Sequence, residues 1–184
     1  MKGKKPLIAL VALLFVGVVG VTFAYFTDTE TFQNIFKITD GGYGTDIYEE
    51  FVAPDNWLPG QEISKKVYVN NTGDIPVVVR VSYDEVWNPT TLTGKMPDGS
   101  AIAIIKFANS SDWTKSGNYY YYNKVLAKGS KTSTFIDSVT LNPDLDLDSD
   151  YIGASYKLNI HVETIQADGA TDEWGVTSSI VSGL

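Results

Sequence analysis

The densest chemistry in the sequence is acidic. Asp144-Leu145-Asp146-Leu147-Asp148-Ser149-Asp150 carries a carboxylate at every second position, an arrangement that suits an oxygen-binding cation such as calcium. An EF-hand loop needs a glycine at its sixth position and a bidentate glutamate at its twelfth; counted from Asp144, those places hold Ser149 and Ser155. The run therefore reads as a solvated acidic loop ahead of a strand, with Asp144, Asp146, Asp148 and Asp150 as an alternative calcium set. His161 is the single histidine and there is no cysteine, so a zinc hydrolase would lack its usual nitrogen and sulfur ligands. Neither His-Glu-x-x-His nor a Gly-x-Ser-x-Gly nucleophile elbow occurs. The chain reads as a non-enzyme with no catalytic residues and no cofactor, and His161 as a surface side chain.

Two further residue groups invite chemistry. Lys65, Lys106 and Lys124 lie inside strand-like segments and could be amines for isopeptide bonds, which need a desolvated lysine beside an amide or carboxyl group. Surface lysine is the simpler reading of each, and no isopeptide pair is assigned. Tyr119-Tyr120-Tyr121-Tyr122, with Trp113 shortly before, is the densest aromatic patch. Strand alternation sends two of these tyrosines to each face, which predicts half in a core and half exposed for sugars or a neighbouring subunit.

The elements that must position these residues are strands. Val77, Val79, Val81 and Tyr83 alternate with Val78, Arg80, Ser82 and Asp84, and Tyr156, Leu158, Ile160 and Val162 alternate with Lys157, Asn159, His161 and Glu163. Period two marks half-buried strands. Further strands are expected at 32–38, 46–52, 61–70, 101–107, 118–126 and 131–141, separated by turn sequences such as Leu58-Pro59-Gly60, Asn71-Thr72-Gly73-Asp74 and Pro97-Asp98-Gly99. The stretch 90–100 and the tail after Ala167 read as irregular. The expected fold is all-β, a two-sheet antiparallel sandwich of jelly-roll or immunoglobulin-like type.

Charge divides the 184 residues unevenly. Lys2, Lys4 and Lys5 precede an uncharged apolar run, and Asp28 is the first acid. With those lysines set aside, 11 basic residues face 22 acidic ones, which disfavours nucleic acid as a partner. Residues 1–24 read as a signal peptide, with Thr22-Phe23-Ala24 as small-residue flanks for a cut between Ala24 and Tyr25. The alternative is an uncleaved anchor, and membrane contact is expected only through this leader. The expected organisation is then a leader over 1–24, an N-terminal arm over 25–40 and a sandwich domain over 41–184. Within the arm Phe26, Phe32, Phe36 and Ile38 share one parity, interrupted by Asp28, Glu30 and Asn34, a pattern that can add to a sheet edge; the same arm could equally fold back onto its own sandwich.

Three stretches together resemble a family. Gly20-Val21-Thr22-Phe23-Ala24-Tyr25-Phe26-Thr27-Asp28 is similar to the export signals handled by a SipW-type signal peptidase. Trp57-Leu58-Pro59-Gly60, Val67-Tyr68-Val69-Asn70-Asn71-Thr72-Gly73 and Val77-Val78-Val79-Arg80-Val81 resemble a core of turn, strand, Asn-x-Gly turn and strand. Tyr151-Ile152-Gly153-Ala154, leading to Glu163-Thr164-Ile165-Gln166-Ala167, resembles the last core strand. In order and spacing these resemble the secreted biofilm matrix proteins of the TasA/camelysin type, and among them the BsaA-like fibre subunits of Gram-positive bacteria. The resemblance implies a secreted jelly-roll subunit of the extracellular matrix or cell surface that partners other copies of itself. Its pilus-like fibre would grow head to tail by donor-strand complementation once the leader is removed. The alternatives are a monomeric surface domain, held by its leader or binding glycans, and more remotely a camelysin-like metallopeptidase.

Overall fold

The computed structural model describes residues 27–32, 44–54, 56–108, 111–146, 149–151 and 153–184, with 27–32 described as a backbone path only. Nine strands follow in order: β1 (Thr27–Phe32), β2 (Thr45–Phe51), β3 (Glu62–Asn71), β4 (Val77–Asn88), β5 (Ala103–Phe107), β6 (Trp113–Ser116), β7 (Tyr119–Tyr122), β8 (Ile136–Leu141) and β9 (Ser155–Gln166). They form a five-stranded sheet of order β1-β9-β4-β7-β6 and a four-stranded sheet of order β2-β3-β8-β5, and every ladder is antiparallel. The all-β two-sheet sandwich expected from period-two alternation is the fold observed.

The strand order decides between the two sandwich types. Apart from the β2–β3 and β6–β7 hairpins the chain changes sheet at each connection, and the last strand lies between the first and the fourth. That is the jelly-roll arrangement, whereas an immunoglobulin sandwich pairs its last strands with each other.

The core lies between the sheets, and the alternation explains it. Val77, Val79 and Val81 of β4 and Leu158, Ile160 and Val162 of β9 are buried against Val67, Phe135 and Ile136. The β3–β4 turn is fixed by Asn71, which is 1% exposed. Its Nδ2 donates to the carbonyls of Ile75 (2.7 Å) and Leu126 (3.0 Å), and its Oδ1 accepts from the Gly73 amide at 3.0 Å. A buried amide is tolerated when its donors and acceptor are matched in this way, so the Asn-x-Gly sequence here builds a turn.

The tail after Ala167, expected to be irregular, is ordered. A 3-10 turn over Ala167–Gly169 leads into a short helix, α1 (Ala170–Trp174). Ala170, Val176 and Val181 pack on Val78, Tyr121 and Ile165, forming a second core on the outer face of the five-stranded sheet. Arg80 locks this cover in place. Its guanidinium lies 4.0 Å from the Tyr119 ring and 3.9 Å from the Trp174 ring, while Nε donates to Glu163 at 2.9 Å. Val176 and Val181 follow neither strand nor helix period, because loop segments set each of them down singly.

Candidate functional site

The edge of the five-stranded sheet is where sequence and geometry meet. β1 pairs with β9 from Thr27 opposite Ile165 to Phe32 opposite Ile160, and it is the outermost strand. On its other side β9 pairs with β4 along its full length, from Ser155 opposite Asn88 to Gln166 opposite Val77. Among the described residues, β9 positions 155–159 therefore have no strand partner on the β1 side. Unpaired strand edges present free N–H and C=O groups to any extended segment of suitable register.

Next to that free edge, between the sheets, is a cavity of about 800 Å³. Its walls come from both sheets where β9 begins, including Trp57, Lys65, Trp87, Ala154, Tyr156 and Leu158. The rings contact one another: Trp87 lies 4.7 Å from Tyr156 and 4.9 Å edge-on from Tyr151, and Trp57 lies 5.6 Å from Tyr156. Three of their polar ends are spent on the protein, while Trp87 Nε1 is buried without a hydrogen-bond partner among the described residues. Trp57 Nε1 donates to the Gln61 carbonyl, the Tyr156 hydroxyl donates to Glu85, and the Tyr151 hydroxyl accepts from the Gly94 amide, each at 2.9 Å. Burial, reinforced by Glu85, raises the Tyr156 pKa, so the hydroxyl stays protonated. Gly94 has φ +71°, and a Cβ there would come within 2.9 Å of Trp87 Nε1, so both backbone and space require glycine.

What remains for an occupant is apolar ring surface and one charged pair. Lys65 is 3% exposed; its ammonium contacts the Glu49 carboxylate and lies 4.6 Å from the Phe51 ring centre. This corrects the expectation of a surface lysine. β3 turns Lys65 toward the interior, and Glu49 of the neighbouring β2 supplies the counter-charge that burial demands. Leu58 of the cavity wall is 60% exposed, and Val52, between the wall residues Phe51 and Ala53 in sequence, is 82% exposed; they are the two most exposed large apolar side chains described. A built apolar cavity with an apolar rim suits a hydrophobic side chain better than a sugar, which needs several unsatisfied polar groups.

The other predicted residues are dispersed. Ala24, Tyr25, Phe26, Phe36 and Ile38 lie outside the described residues, as does Asp148; Phe32 is the last residue of β1. Asp144, Asp146 and Asp150 are exposed, and among the described residues no three His, Cys, Asp or Glu side chains gather where a metal could sit. Lys106 is exposed between Glu62 (3.5 Å) and Asp137 (3.3 Å), and Lys124 is exposed 3.6 Å from Asp112.

Half of the tyrosine run was expected to be exposed, and the structure overturns that. Tyr121 and Tyr122 are buried and Tyr119 and Tyr120 half-buried, because the C-terminal segment covers the face that alternation alone leaves open. His161 is half-buried on β9, with Nε2 2.5 Å from Asp84 Oδ1, and Asn159 Nδ2 donates to the other oxygen of Asp84 at 2.8 Å. Partial burial opposes ionisation of Asp84, but the hydrogen bonds from His161 and Asn159 outweigh it and hold the carboxyl below its usual range.

The chain matches no protein-family model, no curated protein and no solved structure. Sequence reasoning missed the cavity. Trp57, Trp87, Tyr151 and Tyr156 are spread over a hundred residues, and only the jelly-roll crossovers bring them together. Their one sequence signal is that each stands in or beside a turn or a strand end.

Proposed function

We propose that this protein is a secreted, non-enzymatic structural subunit of an extracellular matrix fibre. Its N-terminal arm leaves its own sheet and completes the sheet of the next copy once the leader has been removed by a SipW-type peptidase. The observation that carries this reading is the position of β1: six residues at the outer edge of the five-stranded sheet, paired to β9 alone. A terminal edge strand is the element whose exchange disturbs a sandwich least, since only its single ladder, here with β9, is given up. An arm that pairs with another copy makes a heterologous contact that does not close on itself, and such contacts propagate as filaments.

Two features of composition support the reading. With 22 acidic residues and no cysteine, the exported chain repels its neighbours before assembly and has no disulfide to brace it afterwards, so durability falls to contacts between subunits. The leader would block the arm from reaching a second copy, which makes its removal the trigger for assembly.

The experiment is deletion of residues 25–38 from the exported chain, followed by electron microscopy and size-exclusion chromatography. Arm donation predicts folded subunits that no longer form fibres. Fibres of normal length from the deleted chain would refute it, and polymerisation of a chain that retains residues 1–24 would refute the trigger.

A further inference from the structure

The aromatic cavity has the size and the lining of a small-molecule site. Its volume of about 800 Å³ falls within the range of roughly 300–1,000 Å³ that such sites occupy. Phe51, Trp57, Trp87, Leu141, Tyr156 and Leu158 give it apolar walls from both sheets. Water fills such a space poorly, because each buried water needs about two to four polar partners. The polar atoms of Trp57, Tyr151 and Tyr156 already hold protein partners, and Trp87 Nε1 lies against Gly94.

Lys65 is the polar anchor that remains. An ammonium carries three N–H donors. Glu49 accepts one, and the Phe51 ring, 4.6 Å away, faces the charge, so at least one N–H has no acceptor among the described residues. The Lys65–Glu49 pair also sets the charge an occupant can carry. The two side chains are only 4% and 19% exposed, and their charges cancel. An anionic or a cationic head beside them would leave one net charge away from water, which is strongly disfavoured. A neutral head with a hydroxyl or carbonyl oxygen meets the spare N–H without that penalty.

Exposure gives the orientation. Lys65 is 3% exposed, whereas Leu58, another wall residue, is 60% exposed, so the polar anchor lies deep and the rim is apolar. A molecule that fits enters head first and leaves its hydrocarbon on the rings and the rim. We propose that the cavity binds a neutral amphiphile, an alkyl or acyl chain with one hydroxyl or carbonyl oxygen. That oxygen accepts from Lys65, and the chain lies along Trp57, Trp87 and Tyr156. The site stands apart from arm donation, since every residue in it belongs to one subunit.

The test uses the full exported chain and three probes that share a decyl chain and differ in the head: decan-1-ol, decanoate and decyltrimethylammonium, each below its solubility or micelle limit. Isothermal titration calorimetry should show one decan-1-ol per chain, bound about tenfold or more tighter than either ion. Ala154→Trp, which puts an indole into the cavity from its wall, should abolish binding while the unfolding midpoint holds. Lys65→Met with Glu49→Gln removes both charges together and should weaken decan-1-ol by about five- to tenfold, the worth of one hydrogen bond. Absence of saturable binding overturns the proposal, as do ions that bind as tightly as the alcohol, binding that survives Ala154→Trp, or undiminished binding by a folded double variant. If the double variant does not fold, the ranking of the three heads and the Ala154→Trp result still decide the matter.

Discussion

Residues 160–165 and 155–159 of β9 share one strand and one partner, β4, yet live in unlike surroundings. The first stretch is flanked by β1 on its other side, and its outer face at Ile165 is sealed by the C-terminal segment and the Arg80 clamp. The second has no strand partner on that side among the described residues, and a cavity beneath it. One end of the sandwich is sealed by the C-terminal segment and the other holds an aromatic-lined cavity. The contrast teaches that one strand can be tightly packed at one end, where the outer cover holds β4 and β9 together, and border a cavity at the other.

Breaking the closed end has the largest expected effect. Ile165→Ala removes a side chain that is 1% exposed between β4 and the C-terminal cover, and should cost about 3 kcal/mol in denaturant unfolding. Leu158→Ala, beside a cavity already present, should cost nearer ~2 kcal/mol, because fewer packed neighbours are lost. Equal costs at the two positions would remove the distinction drawn between the ends.

The clamp comes next. Arg80→Ala strips a cation from between two rings and leaves Glu163, 18% exposed, without its partner, for an expected loss of about 2–3 kcal/mol. Arg80→Lys should recover only part of it, since an ammonium cannot stack between Tyr119 and Trp174 as a planar guanidinium does. Quenching of Trp174 fluorescence by added iodide should rise in parallel if the cover loosens; stability lost with no change in quenching would place the effect elsewhere.

The smallest effect is one of pH. Asp84 on β4 is bound by Asn159 and His161, one from each stretch of β9, and its folded pKa lies below the unfolded value. The unfolded state then takes up a proton first as pH falls. The stabilisation is complete above the ordinary carboxylate range and is lost as pH drops toward the depressed folded value. Asp84→Asn should flatten the acid limb of the stability curve while changing neutral stability little, because the group is half exposed. An acid limb of unchanged slope would show that Asp84 does not couple the two stretches.

Much of the framework was legible in the residues. Val77, Val79 and Val81 announced β4, and Leu158, Ile160 and Val162 announced β9, because a strand with one buried face must repeat every second residue. Turn sequences with glycine divided the strands nearly where they end. Lys65 and the tyrosine run were less readable. The environment of Lys65 depends on Glu49 across a strand pair, and that of Tyr119 and Tyr121 on a tail some fifty residues further along the chain.

By itself, then, the sequence determined the class of fold, the acidity, the lack of thiol chemistry and an arm with apolar residues of one parity. Local periodicity and composition are properties of neighbouring residues and need no knowledge of the rest of the chain. Tertiary structure decided the jelly-roll order, the partner strand of β1, the sealing of one sheet face by the C-terminal segment and the aromatic cavity at the other end. Each of these is a meeting of residues far apart in sequence, and only the crossing of the chain between two sheets fixes which of them meet.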